Sequence, residues 1–135
     1  PVKMRAGETV ELNQADTGAL KKIPGIGSYY ARQIVRYRQE LGGYASIGQL
    51  QEIDGMPEDV GQWLRLDASH VQPIDVNHAT KSQLLRHPYL RTYRAWAIWD
   101  YRHNFGPLNG IDDLLRLPGF TEADTARLRP YLKFR

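Results

Sequence analysis

The residues with the clearest capacity for chemistry are Ile23-Pro24-Gly25-Ile26-Gly27-Ser28-Tyr29-Tyr30-Ala31, in which two glycines bracket a single apolar residue between two short amphipathic stretches. Glycine permits a tight turn and the close approach of another molecule's backbone, and Ile26 can plug the gap beneath the turn. The helix that follows opens with amide groups that have no partner of their own, which is the condition for holding an anion. Lys21 and Lys22 precede the turn, while Arg32 and Arg36 lie four apart on one face of the next helix, so cations flank the donors. The chemistry on offer is capture of a phosphate.

Covalent chemistry finds less support. No nucleophile, base and orienting group stand in a recognisable pattern, and there is neither a phosphate-loop lysine motif nor a carboxylate pair with evident acid and base roles. The chain has no cysteine, and His78, His87 and His103 show no recurrent ligand spacing. No metal, cofactor or catalytic residue is therefore expected.

The elements that must position the turn come from a duplication. Asn13 and Asn77, Pro24 and Pro88, Tyr37 and Tyr101, and Gly55 and Gly119 are each 64 positions apart, and 16 of the 56 positions from Leu12/Val76 to Asp67/Tyr131 are identical without a gap. The units are placed at 8–67 and 72–135, joined by the short polar stretch Asp67 to Pro73 and expected to pack as one compact body. Each unit reads as about four short helices. In the first, Asn13 is the expected N-cap of a helix carrying Ala15, Ala19, Leu20 and Ile23, and Ser28 that of a longer helix ending at Gly42-Gly43. Ser46 opens a third helix, and Pro57 falls in the first turn of a fourth. The second unit repeats the order through Asn77, Thr92, Gly110 and Thr121, with a break between Leu85 and Arg94. Neither unit shows the alternation of a stable sheet, although Val10-Glu11-Leu12 and Ile74-Asp75-Val76 suit short extended segments. The fold class is all-α.

Two glycines around an apolar residue between helices form the helix-hairpin-helix pattern. Leu12-Asn13-Gln14-Ala15-Asp16, Ile23-Pro24-Gly25-Ile26-Gly27, Ile34-Val35-Arg36-Tyr37-Arg38 and Ser46-Ile47-Gly48-Gln49-Leu50 together resemble the DNA-binding repeats of the competence protein ComEA family. The likeness continues through Val76-Asn77-His78-Ala79, Ile98-Trp99-Asp100-Tyr101-Arg102, Gly106-Pro107-Leu108 and Leu117-Pro118-Gly119-Phe120. It implies non-specific binding of the double-stranded DNA backbone, with phosphate contacts at Gly25, Ile26 and Gly27 and around Ser28 and Tyr29. It also implies a bacterial, extracytoplasmic setting, with anchorage through a segment outside this chain.

The second unit departs from the pattern, because Tyr89 and Arg91 stand where the first has Gly25 and Gly27. A side chain at either place hinders close approach, which favours structural degeneration over a remodelled anion site in which Arg91 itself reaches a phosphate. The later hairpins at Asp54-Gly55-Met56-Pro57 and Pro118-Gly119-Phe120-Thr121 are followed by Glu58 and Asp59, and by Glu122 and Asp124. Carboxylates there suit the helix dipole but repel phosphate.

Net charge is +3, distributed against the motif: residues 1–67 hold 8 Lys or Arg against 9 Asp or Glu, and 68–135 hold 10 against 6. Lys81, Arg86, Arg91 and Arg94 are thus either a secondary phosphate-tracking surface or a solvated helix exterior. Trp96 and Trp99, one helical turn apart, are a candidate protein-partner contact. No apolar run approaches the length of a membrane span. The chain begins at Pro1 and is expected to be a piece of a longer protein, so its compartment stays open. Besides a DNA binder, the residues allow a protein-interaction or scaffold module whose hairpins have lost DNA affinity. Repair enzymes also carry such hairpins, but beside a catalytic module for which the two repeats leave no room.

Overall fold

A computed structural model describes residues 2–135. It divides into two compact units, one reaching to Val71 and the other Gln72–Arg135. The first contains β1 (Val10–Glu11), α1 (Thr17–Leu20), α2 (Ser28–Leu41), 3-10 helices at Ile47–Glu52 and Glu58–Trp63, β2 (Leu64–Arg65) and a 3-10 turn at Ala68–His70. The second contains β3 (Ile74–Asp75), α3 (Lys81–Arg86), α4 (Arg91–Phe105), a 3-10 helix at Ile111–Arg116, α5 (Glu122–Leu128), a 3-10 turn at Arg129–Tyr131 and β4 (Leu132–Lys133). The break expected between Leu85 and Arg94 is present.

Helices dominate, but each unit is closed by a pair of short parallel strands that an all-α reading lacks. Val10 and Glu11 pair with Leu64 and Arg65, and Ile74 and Asp75 with Leu132 and Lys133. The first strands share the 64-residue offset, whereas the closing strands are 68 apart. The gapless register therefore fails near its end. The last helix of the first unit is a six-residue 3-10 helix, and its counterpart is a seven-residue α-helix followed by a three-residue turn. Leu64-Arg65 and Leu128-Arg129 are identical in sequence but not equivalent in structure.

Both cores use the same positions. Leu12, Leu20, Ile26, Ile34, Tyr44 and Leu50 are buried in the first unit, and Val76, Leu84, Leu90, Ile98, Leu108 and Leu114 in the second. Each fully buried aliphatic side chain contributes roughly 1.5–3 kcal/mol. Duplication thus preserved the apolar interior where it changed the turns.

Several expected caps are corrected. Asp16 caps α1, its Oδ1 accepting from Ala19 N at 2.8 Å. Asn13 instead ties the chain to a distant loop: Nδ2 donates to the carbonyls of Tyr44 (3.0 Å) and Asp67 (3.1 Å), and Oδ1 accepts from Tyr44 N (2.7 Å). Asn77 does the same, donating to the carbonyls of Leu108 (2.8 Å) and Arg135 (3.2 Å) and accepting from Leu108 N (2.8 Å). Thr80 caps α3 in its place. Gly27, not Ser28, is the cap residue of α2, and Thr92 lies inside α4, which starts after Leu90. Pro57 precedes the fourth helix as its cap residue, while Ser46, Gly110 and Thr121 occupy the cap positions assigned to them.

Candidate nucleic-acid interface

The first hairpin is a turn of two dissimilar glycines. Ile23 N donates to Leu20 O (3.1 Å) and Ile26 N to Ile23 O (3.0 Å), carrying the chain off the end of α1. Gly25 has φ +89°, a conformation that costs other residues about 1–2 kcal/mol. Ile26 is fully buried beneath the turn. Gly27 is extended at φ −96° and ψ −169°, which any residue can adopt. Its value is the missing side chain, since a Cβ there would meet nothing within 4 Å. Gly25, Gly27, Ser28 and Tyr29 are all exposed.

Ala31 N donates to Gly27 O at 3.0 Å, so the amide groups before it are the orphan donors of α2. No side chain caps them, and no acidic residue stands in the first turn. Lys22 and Arg32 are exposed and Lys21 half-buried. Arg36 is exposed beside Glu40, 4.0 Å away, in the kind of surface pair that contributes little. Tyr29 projects at 59% exposure with its ring edge-on to Tyr30, 5.3 Å between centroids. Tyr30 serves packing: a Cβ on Gly55 would lie 2.5 Å from its hydroxyl. The glycine of the second hairpin, at φ +79°, is thus used to admit a neighbouring ring.

The corresponding turn of the second unit is rebuilt around aromatic side chains. Tyr89 is buried against His87 and Tyr131, with ring centroids 5.5 Å and 5.8 Å away, and the Arg127 guanidinium lies 4.3 Å from its ring. Leu90 takes the buried place of Ile26. The positive φ moves to Arg91, at +43°, whose amide donates to His87 O at 2.9 Å. What was an open turn is filled from inside.

The Helix-hairpin-helix motif model matches residues 5–64 and 69–133. The chain belongs to the helix-hairpin-helix family. Helix-hairpin-helix motifs are generally nucleic-acid-binding elements. The chain is 26% identical to the mouse Endonuclease/exonuclease/phosphatase family domain-containing protein 1, 25% to the human protein of that name and 23% to the zebrafish one. Each alignment takes in 90% of the chain but 26–27% of the relative, so the chain spans about a quarter of these proteins. No solved structure is a significant match.

Of the four basic residues singled out in the second helix-hairpin-helix unit, two are held by the unit itself. Arg94 donates through Nε to Gly119 O (2.9 Å) and through Nη1 to Tyr89 O (3.2 Å), and its Nη2 pairs with Asp124 at 3.0 Å. The Thr121 backbone N–H holds the Asp124 carboxyl below the usual carboxylate range against the opposing effect of desolvation, helped by the Thr121 hydroxyl, Arg94 and Arg127. Lys81 Nζ lies 4.2 Å from the Trp96 ring and 5.3 Å from that of Trp99. Arg86 and Arg91 are exposed.

Trp99 is further covered by Arg102 at 4.9 Å and His103 at 4.5 Å, leaving Trp96, at 41% exposure, as the more open ring. These contacts give the partner reading no support of their own. Glu58, Asp59 and Glu122 are exposed at the later helix starts, where they repel phosphate. Among the described residues no group of three or more His, Asp or Glu is placed to hold a metal, and no helix is long and apolar enough to cross a membrane.

Lys3 is the residue that sequence patterns miss. Its ammonium donates to the carbonyls of Lys21 (2.6 Å), Ile26 (3.2 Å) and Ile23 (3.4 Å), inside the first hairpin. These partners are 18–23 residues away in sequence, so no local spacing announces them.

Proposed function

We propose that this chain binds double-stranded DNA without base preference, holding backbone phosphate at the first hairpin. The amide groups that open α2 receive the phosphate, Gly25 and Gly27 let it approach, and Lys21, Lys22, Arg32 and Arg36 supply the surrounding charge. The observation that carries this reading is the bare surface at Gly27 in front of an uncapped, acid-free helix start. At the position in the second unit that corresponds to Gly27, the exposed side chain of Arg91 stands in front of the helix start instead. The grip is therefore asymmetric.

The chain acts by binding, with no chemistry of its own. The competence-type strings suggest DNA uptake outside a bacterial membrane, while the relatives' name suggests a module beside an endonuclease/exonuclease/phosphatase domain. Both settings require the same backbone grip, so the first test is common to them. Fluorescence anisotropy with two duplexes of unrelated sequence, each at 50 and 200 mM salt, reads it directly. One or two held phosphates give micromolar or weaker affinity, equal for both duplexes and about three- to twelvefold poorer at the higher salt. Absence of salt-sensitive binding would favour a scaffold module that keeps the fold without the affinity.

A further inference from the structure

The first hairpin presents carbonyl oxygens as well as amide groups. Lys21 is the C-cap of α1, and Ile23 and Ile26 lie in the turn that follows, so their carbonyls collect at the negative end of one helix beside the positive start of the next. A phosphate approaching the α2 donors is repelled by those oxygens unless they are compensated. The Lys3 ammonium, with three protons, finds three of these carbonyls within 3.4 Å. Met4 N donates to Lys22 O at 2.8 Å and holds the N-terminal segment against the hairpin.

We propose that Lys3 is a positioning residue of the phosphate site and its fixed cation, an inference that rests on the first hairpin being the DNA contact. It stiffens the turn by bridging both sides of it, and it turns a cluster of repelling oxygens into a net positive surface. Among the described residues no carboxylate lies within 4.0 Å of Lys3 Nζ, so its charge is available to a ligand. The rebuilt hairpin shows the opposite arrangement. There Arg94 holds the Tyr89 carbonyl, but Asp124 neutralises that guanidinium.

The test compares the whole chain with Lys3→Met and Lys3→Arg, titrating a 20-base-pair duplex at four salt concentrations and checking each fold by circular dichroism. Lys3→Met removes the charge while keeping the stem. It is expected to weaken binding about three- to tenfold near 100 mM salt and to lower the log–log salt slope by about 1, as for loss of one phosphate-facing cation. Lys3→Arg, which keeps the charge, is expected to retain the parent's slope. A folded Lys3→Met variant with the parent's slope would overturn the proposal, even with weaker affinity, because a purely structural strap does not change the number of ions released. If the parent itself shows no salt-sensitive binding, the DNA reading falls and this inference with it, an outcome distinct from the first.

Discussion

Replacing Gly27 by glutamate is the sharpest challenge to the DNA reading, because the structure separates its effect on binding from its effect on folding. The backbone at Gly27 is extended, and a Cβ would meet nothing within 4 Å, so the side chain enters open solvent without strain. Loss of a good cap residue is partly offset by a carboxylate at a helix N-terminus, and stability should change by less than about 1 kcal/mol. Binding should respond far more. A carboxylate about 5 Å from a bound phosphate is repelled by roughly 1 kcal/mol at the dielectric of water and about 3 kcal/mol near a protein surface. That range corresponds to about 5- to 150-fold in Kd, before the loss of close approach is counted. Arg91→Glu supplies the comparison at the equivalent position, where the turn is already filled, and is expected to weaken binding less than threefold. Duplex anisotropy at fixed salt measures both, with circular dichroism and a thermal melt confirming the fold. Equal losses in the two variants would move the contact to the second unit, and unchanged affinity in folded Gly27→Glu would refute the hairpin site.

Three further outcomes follow from the same geometry. Asn13→Ala removes three hydrogen bonds and leaves both backbone groups of Tyr44 without that partner, so urea denaturation should show a loss of about 2–4 kcal/mol; less than 1 kcal/mol would deny Asn13 its bridging role. Tyr89→Ala opens a cavity among His87, Tyr131 and the Arg127 guanidinium and is expected to destabilise by about 3–5 kcal/mol, measured by the same method. The Asp124 carboxyl is depressed from an ordinary value of 3.8, so its stabilisation is present above about pH 4 and lost as pH falls through the lower folded value. Asp124→Asn should therefore be less stable than the parent at pH 6 and approach it at pH 2 in thermal melts, whereas an unchanged gap would contradict the assignment.

The amino-acid sequence alone determined that the unit is doubled, that helices carry it, and that Pro24-Gly25-Ile26-Gly27 is a tight turn leading into a helix start without an acidic residue. Those features are local: glycine at a left-handed turn, apolar residues at helical spacing and the absence of an acid in one helical turn are each legible within a few residues. Tertiary structure decided the rest, because it depended on which distant groups meet. Asn13 looks like a helix cap and instead joins loops 31 and 54 residues away, since the carbonyls and amide it satisfies belong to segments brought in by folding. Leu64-Arg65 matches Leu128-Arg129 in sequence, yet pairing with the opening strands selects Leu132-Lys133, which the longer final helix carries into register. Arg94 counts as free charge until Tyr89, Gly119 and Asp124 surround it, and Lys3 is an ordinary terminal lysine until the carbonyls of the first hairpin gather at its ammonium. A hydrogen-bonding or charged group is defined by its partners, and only the folded chain supplies those.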